Sequence, residues 1–196
     1  MIAPGGLSLA DAVAALDAGL GDSPADAGRI DAGDGGIAAA ASRYVLFTIA
    51  ETCYAVHETL VTELDRVPKI TLVPHVPAWV RGVANLRGDV ISVVDLRAFL
   101  GLDAAPIFRE RMLVVRLVGE DFTTALVVDN VERIVAIADT EIRPTEAPLE
   151  GRLSAYLRGV AVAGARLVAV LDLDRLLRSP EIRQFEERLQ GEGAPE

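Results

Sequence analysis

Few residues of this 196-residue chain are of types that could do chemistry: His57, His75, Cys53, the aspartates Asp95 and Asp172, and the charged turn Arg87-Gly88-Asp89. His57-Glu58 has the opening of a helical zinc-hydrolase motif, in which a second histidine four residues on completes the metal face and the glutamate activates water. Position 61 is valine, so that face cannot form. His75 is remote from His57 in sequence, and neither sits among cysteines at metal-ligand spacing. The phosphate-cradling G-x-x-x-x-G-K-[ST] pattern and the G-x-S-x-G nucleophile elbow are absent from the sequence. The expectation is therefore a protein without catalytic residues, metal or cofactor.

The aspartates read as structural. Each closes an apolar run and precedes a short helical stretch, "LRAFLG" after Asp95 and "LDRLLRS" after Asp172. At that position a carboxylate accepts the freed N–H groups of the first turn. Cys53 is the only cysteine, lies in a strand-like run, and reads as a core residue. What remains is recognition chemistry at the stretch "NLRGD", Asn85 to Asp89. Leu86 offers apolar area beside the planar, multi-donor guanidinium of Arg87, a combination suited to anchoring a partner.

The elements that must hold this turn are strands. From residue 43 onward, short β-branched runs recur at close spacing, broken by Pro and Gly, which predicts an all-β domain of small barrels or a sandwich. "RYVLFTIA" and "YAV" flank a polar "ETC" as a hairpin would, and "RMLVVRLVGEDFTTALVV" repeats that form with "GED" at the turn. An internal repeat is visible. "RGVANLRGDVISVVDLRAFL" (81–100) lies over "RGVAVAGARLVAVLDLDRLL" (158–177) without a gap. "RYVLFTIAETCY" lies over "RMLVVRLVGEDF", and "TLVP" over "EIRP", in the same order. Two related β modules packed together follow. The second repeat carries "VAGAR" where the first carries "NLRGD", so the hairpin does not require Asn85, Leu86 or Arg87 for its own sake.

The chain closes with "SPEIRQFEERLQG", a helix expected to be capped by Ser179, opened by Pro180 and stopped by Gly191, with Ile182, Phe185 and Leu189 on one apolar face. Trp79 is expected in the core or lining a groove.

Residues 1–42 differ in kind. They are Ala-, Gly- and Asp-rich, and six aspartates against Arg29 supply half of the formal net charge of −10. "GDSPADAGRIDAGDGG" reads as a disordered linker, because it cannot bury enough apolar surface to offset its ordering entropy. Before it, residues 8–20 match a short helix with Leu9, Val13, Leu16 and Leu20 on one face. The acidic balance argues against nucleic acid, which needs clustered Lys and Arg. No apolar run approaches ~20 residues, and the first twenty residues hold neither Lys nor Arg. The expectation is a soluble cytoplasmic chain with no direct membrane insertion.

The string "VPHVPAWVRGVANLRGDVISVVDLR" resembles the CheW-like domain family, whose pattern runs approximately V-P-x-x-P-x-F/W-V-x-G-V-x-N-L-R-G, then a strand, then V-D-L-R. "FTIAETCYAV", "VTEL", "VVDNVERI", "EIRP", "YLRGVAV" and "LDRLL" fit in order, so the resemblance covers about residues 43 to 187. Departures are Ser92 where Pro is frequent, Leu64 in place of Ile, and a longer extension before residue 43.

The resemblance implies two five-stranded SH3-like barrels, and a CheW-like domain over 43–190. It also implies a non-enzymatic adaptor linking chemoreceptor cytoplasmic tips to the regulatory domain of a CheA-type histidine kinase, and it looks like the free-standing form. Arg87 matches the family arginine important for partner binding, and Glu63 the acidic residue that pairs with it. Val61 and Gly82 fall near the groove that receives a receptor helix. Asn85, Leu86 and Gly88 complete the protein-binding turn. A regulator of another chemosensory pathway, pilus or developmental, that binds one partner and blocks assembly is the alternative.

Overall fold

The computed structural model describes residues 41–102, 110–120, 122–145 and 152–192, the last six by backbone alone. The expected linker and the helix expected over 8–20 lie outside the described residues, apart from Ala41 and Ser42, which open the first strand. Among the described residues ten strands form two five-stranded sheets. The first runs β3 (Val61–Arg66), β6 (Arg111–Arg116), β7 (Thr123–Val128), β5 (Asp89–Asp95), β4 (Val80–Leu86). The second runs β8 (Asn130–Ala138), β1 (Ala41–Ile49), β2 (Thr52–His57), β10 (Arg166–Leu171), β9 (Leu157–Ala163).

Each sheet closes into a barrel by the same device. Beyond β3 the chain returns along the free edge of β4, where Thr71 and Val83 exchange two backbone bonds of 2.8 and 2.9 Å. Beyond β8 it returns along β9, where Arg143 and Val160 exchange two of 2.8 Å. Gly82 and Gly159, the glycines of the repeated "RGVA", sit beside these bridges. A Cβ on Gly82 would stand 2.2 Å from the Thr71 carbonyl oxygen, and one on Gly159 2.5 Å from that of Arg143.

The two repeats do not form one barrel each. β1 and β2 of the first half pair with β8, β9 and β10 of the second, whereas β6 and β7 of the second half complete the barrel of β3, β4 and β5. The exchange is joined by parallel pairs, Ala169 with Tyr54 and Ser92 with Thr124. The expected alignment of the front hairpins needs one adjustment. β1 turns into β2 through Ala50 and Glu51 alone, so Thr52 and Cys53 belong to the strand rather than to the turn. The β6–β7 connection, across which the Leu117 N–H donates to the Phe122 carbonyl at 3.3 Å, is longer.

Alternation along the strands sorts their side chains into three apolar clusters. Tyr44, Leu46, Cys53, Ala55, Val168 and Val170 fill barrel two, and Ile91, Val93, Met112, Val114, Ala125 and Val127 fill barrel one. The opposite faces, including Val45, Phe47, Tyr54, Val94, Leu113, Leu126 and Leu171, meet between the barrels. This is why these strands are apolar on both faces, and why Cys53 is a core residue as expected.

Short helices complete the middle layer: α1 (Leu96–Leu100), α2 (Leu153–Tyr156), α3 (Leu173–Leu177) and α4 (Pro180–Glu192). Asp95 and Asp172 are the N-caps expected, accepting from the backbone N–H of Ala98 at 3.0 Å and Arg175 at 2.9 Å. Two expectations for the last helix fail. The buried Ser179 hydroxyl has no partner among the described residues, so only its carbonyl serves the helix start. Gly191 does not stop α4, which continues to Glu192. Ile182 and Phe185 are buried as the apolar face requires, while the side chain of Leu189 is outside the described residues. Trp79 is a core residue, edge-on to Phe99 and Phe185 at centroid distances of 5.2 and 6.1 Å.

Two polar contacts lie inside this apolar frame. Arg97 of α1, almost wholly buried, pairs closely with Asp129 at the β7–β8 junction. Asp129 also accepts from the Ala50 N–H at 2.6 Å and donates its own N–H to Thr48. One carboxylate thus joins α1 and the front turn. The second contact explains Ser92. Its hydroxyl lies 2.6 Å from that of Thr124, both fully buried, and donates to the carboxylate of Glu186 on α4. Burial pushes the Glu186 carboxyl above its ordinary value, against the opposing pull of the Ser92 hydroxyl and the charge of Arg183.

Between the ordinary carboxylate pKa and this raised value, the folded chain keeps a proton that the unfolded chain has lost, so stability falls as pH rises through that window. Glu186→Gln is expected to flatten this dependence and to raise the melting temperature more at pH 7 than at pH 4.5. Thermal melts at both pH values test it, and a parallel shift at the two would show that Glu186 titrates normally.

Candidate protein-binding site

The turn between β4 and β5 is a two-residue hairpin. Leu86 pairs with Asp89, and the central residues Arg87 and Gly88 have φ of 56° and 103°. Positive φ at both positions matches the right-handed twist of the flanking strands. The Asn85 side-chain oxygen accepts from the Gly88 N–H at 3.0 Å and fixes the turn. Glycine meets the φ requirement without strain, but a side chain in this left-handed region costs roughly 1–2 kcal/mol. The second repeat uses glycine there. Gly164 occupies the position of Arg87, with φ of 70°. Barrel one therefore carries an arginine where the backbone favours glycine.

Glu63 faces this arginine from β3, the edge strand. A bulge between Val61 and Glu63 shifts the register so that Glu63 lies opposite Val114, and Thr62 donates its hydroxyl to the Val114 carbonyl at 3.2 Å. The Arg87 Nη2 is 3.1 Å from a Glu63 carboxylate oxygen. The Arg87 side chain is 78% exposed and that of Glu63 only 19%, so the carboxylate is the fixed member. An exposed pair of this kind contributes ~0.2–1 kcal/mol, which does not offset the strain at Arg87. Its effect is to aim the guanidinium. In barrel two the corresponding edge position is Arg133, opposite Leu46, and the tip is Gly164, so the pair has no counterpart there.

The remaining expected residues divide by role. Val61 is half-buried and packs on the layer between the barrels. Leu86 is not the freely exposed anchor expected, because it is half-buried and rests on the core of barrel one. Gly88 and Asn85 are exposed and shape the turn, whereas Gly82 is buried against the closing bridge and has a backbone reason of its own.

Beside β3 lies an open groove of about 460 Å³, bounded by Thr59 and Thr62 on one side and by Arg116, Leu117 and the turn Val118–Gly119–Glu120 on the other. Its far wall comes from β6 and the β6–β7 turn. Sequence reasoning missed this wall because those strands belong to the other repeat. Val118 is exposed at 70% and makes the rim apolar. Glu120 is held by Arg183 and Arg178, whose hydrogen bonds, that of Arg183 first, keep its carboxyl below the ordinary range against the opposing effect of burial. Glu63 directly follows Thr62 of the groove lining, so the carboxylate that aims Arg87 and a mostly apolar, open groove share one strand, an arrangement suited to gripping a helix or loop of another protein. Among the described residues no group of three or more His, Cys, Asp or Glu is placed to hold a metal.

Comparison with known proteins agrees with this architecture. The CheW-like domain profile matches residues 43–181. "Chemotaxis protein CheW" of Rhizobium meliloti is 32% identical over 138 residues, which cover 70% of this chain and 88% of that protein. "Protein PilI" of Pseudomonas aeruginosa is 33% identical over 100 residues, 51% of this chain and 56% of that one. The crystal structure of the scaffolding protein TtCheW from Thermoanaerobacter tengcongensis superposes with a TM-score of 0.61 at 25% identity, covering 72% of this chain and 95% of that one. With its two closed five-stranded SH3-like barrels and its N-L-R-G turn, the chain belongs to the CheW-like domain family.

Proposed function

We propose that this protein is a non-enzymatic adaptor, cytoplasmic and recruited to receptor arrays, that couples the cytoplasmic tip of a chemoreceptor to the regulatory domain of a CheA-type histidine kinase. The observation that carries the reading is Arg87, held in a backbone conformation that favours glycine and aimed by Glu63, whose neighbour Thr62 lines an open groove. Strain kept at an exposed tip points to a role outside the fold. Each contact would be small and of roughly micromolar strength alone, and array assembly would supply avidity. A second reading is a CheW-like regulator of another chemosensory pathway that holds one partner and blocks rather than bridges; the likeness to Protein PilI favours the related pathway and leaves the blocking to the test.

The test is retention of receptor and kinase by wild type, Arg87→Glu and Arg87→Gly. Both substitutions are expected to weaken at least one partner by roughly 30-fold, as loss of a central arginine anchor does. Stability should stay within about 1 kcal/mol, with Arg87→Gly the more stable of the two because it relieves the left-handed strain. Retention of both partners at once by wild type marks a bridge, and retention of one marks a blocker. Unchanged binding in both variants would reduce the turn to a hairpin tip.

A further inference from the structure

We infer that residues 9–20 of this same chain dock as an amphipathic helix in the groove between Thr59–Thr62 and Val118–Glu120, in competition with the external partner. The inference rests on the adaptor reading for what it displaces, but not for the docking itself.

Three observations point to this occupant. The first is where the extension joins the barrels. β1 opens at Ala41, and Arg43, two residues on, is 2.7 Å from Glu58, the neighbour of the groove residue Thr59. Twenty residues separate residue 20 from the start of β1, a length that can reach up to ~70 Å, so the groove is within range and docking is intramolecular. The second is shape and polarity. Leu9, Val13, Leu16 and Leu20 fall within one narrow stripe at helical spacing, and a helix too short to persist alone gains stability from such a groove. The third is charge. Asp17 flanks that stripe. Arg116 lines the groove, its guanidinium donating to the Thr123 hydroxyl at 3.3 Å and making no ion pair among the described residues. Glu120, the other charged lining residue, is already neutralised by Arg178 and Arg183.

Hydrogen exchange of the full chain at the Val118 and Gly119 amides tests the docking. Leu16→Asp and Arg116→Glu should each speed exchange there by about threefold to tenfold, and Arg116→Glu combined with Asp17→Lys should restore it, at every protein concentration. Unchanged exchange in Leu16→Asp overturns the inference. An effect that grows with protein concentration also overturns it, since the occupant would then be a second copy. A receptor-tip fragment titrated alongside should bind Leu16→Asp more tightly than wild type by the same factor. Faster exchange with no binding of the fragment to either form would keep the docking and sink the adaptor reading. Equal binding with unchanged exchange would do the reverse.

Discussion

Replacing Asp129 by alanine is expected to lower the stability of the protein by about 3–5 kcal/mol, the range for removing one member of a buried pair. The Arg97 side chain is 7% exposed and that of Asp129 18%, so the change removes a close carboxylate from a buried guanidinium. The loss extends beyond the charge. Asp129 also takes the Ala50 N–H, and its removal frees the β1–β2 turn. Denaturant melts of Asp129→Ala, Arg97→Met and the double variant test this account. The single changes should be strongly destabilising, and the double should recover much of the loss because no uncompensated charge is left behind. If Asp129→Ala melts within 1 kcal/mol of wild type, the Arg97–Asp129 pair does not carry this stability.

The second large effect belongs to Gly82. Gly82→Ala should cost about 2–4 kcal/mol, because its Cβ would meet the Thr71 carbonyl oxygen at 2.2 Å and Ile70 at 2.8 Å, at a φ of +133°. Loss of partner binding in this variant would then follow from an opened barrel and a displaced Arg87 turn. Gly159→Ala supplies the control, since it sets up the same collision with Arg143 in the other barrel, away from the Glu63–Arg87 pair. Both variants should show lowered melting temperatures. A Gly82→Ala protein that melts like wild type yet fails to bind would show instead that a partner contacts this glycine directly.

The sequence was legible where a requirement is local. The N-caps Asp95 and Asp172, the strand character of residues 43 onward and the internal repeat all follow from periodicity and from what a short polar side chain does at a helix start. The Glu63–Arg87 contact followed from the family resemblance, and geometry then added the left-handed strain that composition cannot show. What stayed hidden depends on pairing between distant segments. The front hairpin turns at Ala50 and Glu51 and not at the polar stretch 51–53, because Thr52 and Cys53 are polar or small yet lie in register opposite Ile49 and Thr48. Leu86 looked free because its support, the barrel-one core, comes partly from β6 and β7. The far wall of the groove was invisible for the same reason, since Arg116 and Val118 follow Thr62 by more than fifty residues. Ser92, a departure from the family pattern, has its reason in Glu186 of α4, more than ninety residues on, whose carboxylate accepts from its hydroxyl.

The exchange of hairpins between the two repeats also sets a timetable. β2 finds its parallel neighbour only in β10, so the front hairpin must wait for nearly the whole chain to be made before barrel two can close. At ~5–20 residues per second, the roughly 110 residues from the end of β2 to the end of β10 take about 5–25 s to emerge from a ribosome. For that interval Phe47, Tyr54 and their neighbours have only nascent partners, and the chain is a client for whatever shields apolar strands in the cell. Barrel one, whose β3 to β7 are nearly contiguous, can close first. The order of birth is then fixed by topology: the half that bears Arg87 is complete while the other is still waiting for its last strand.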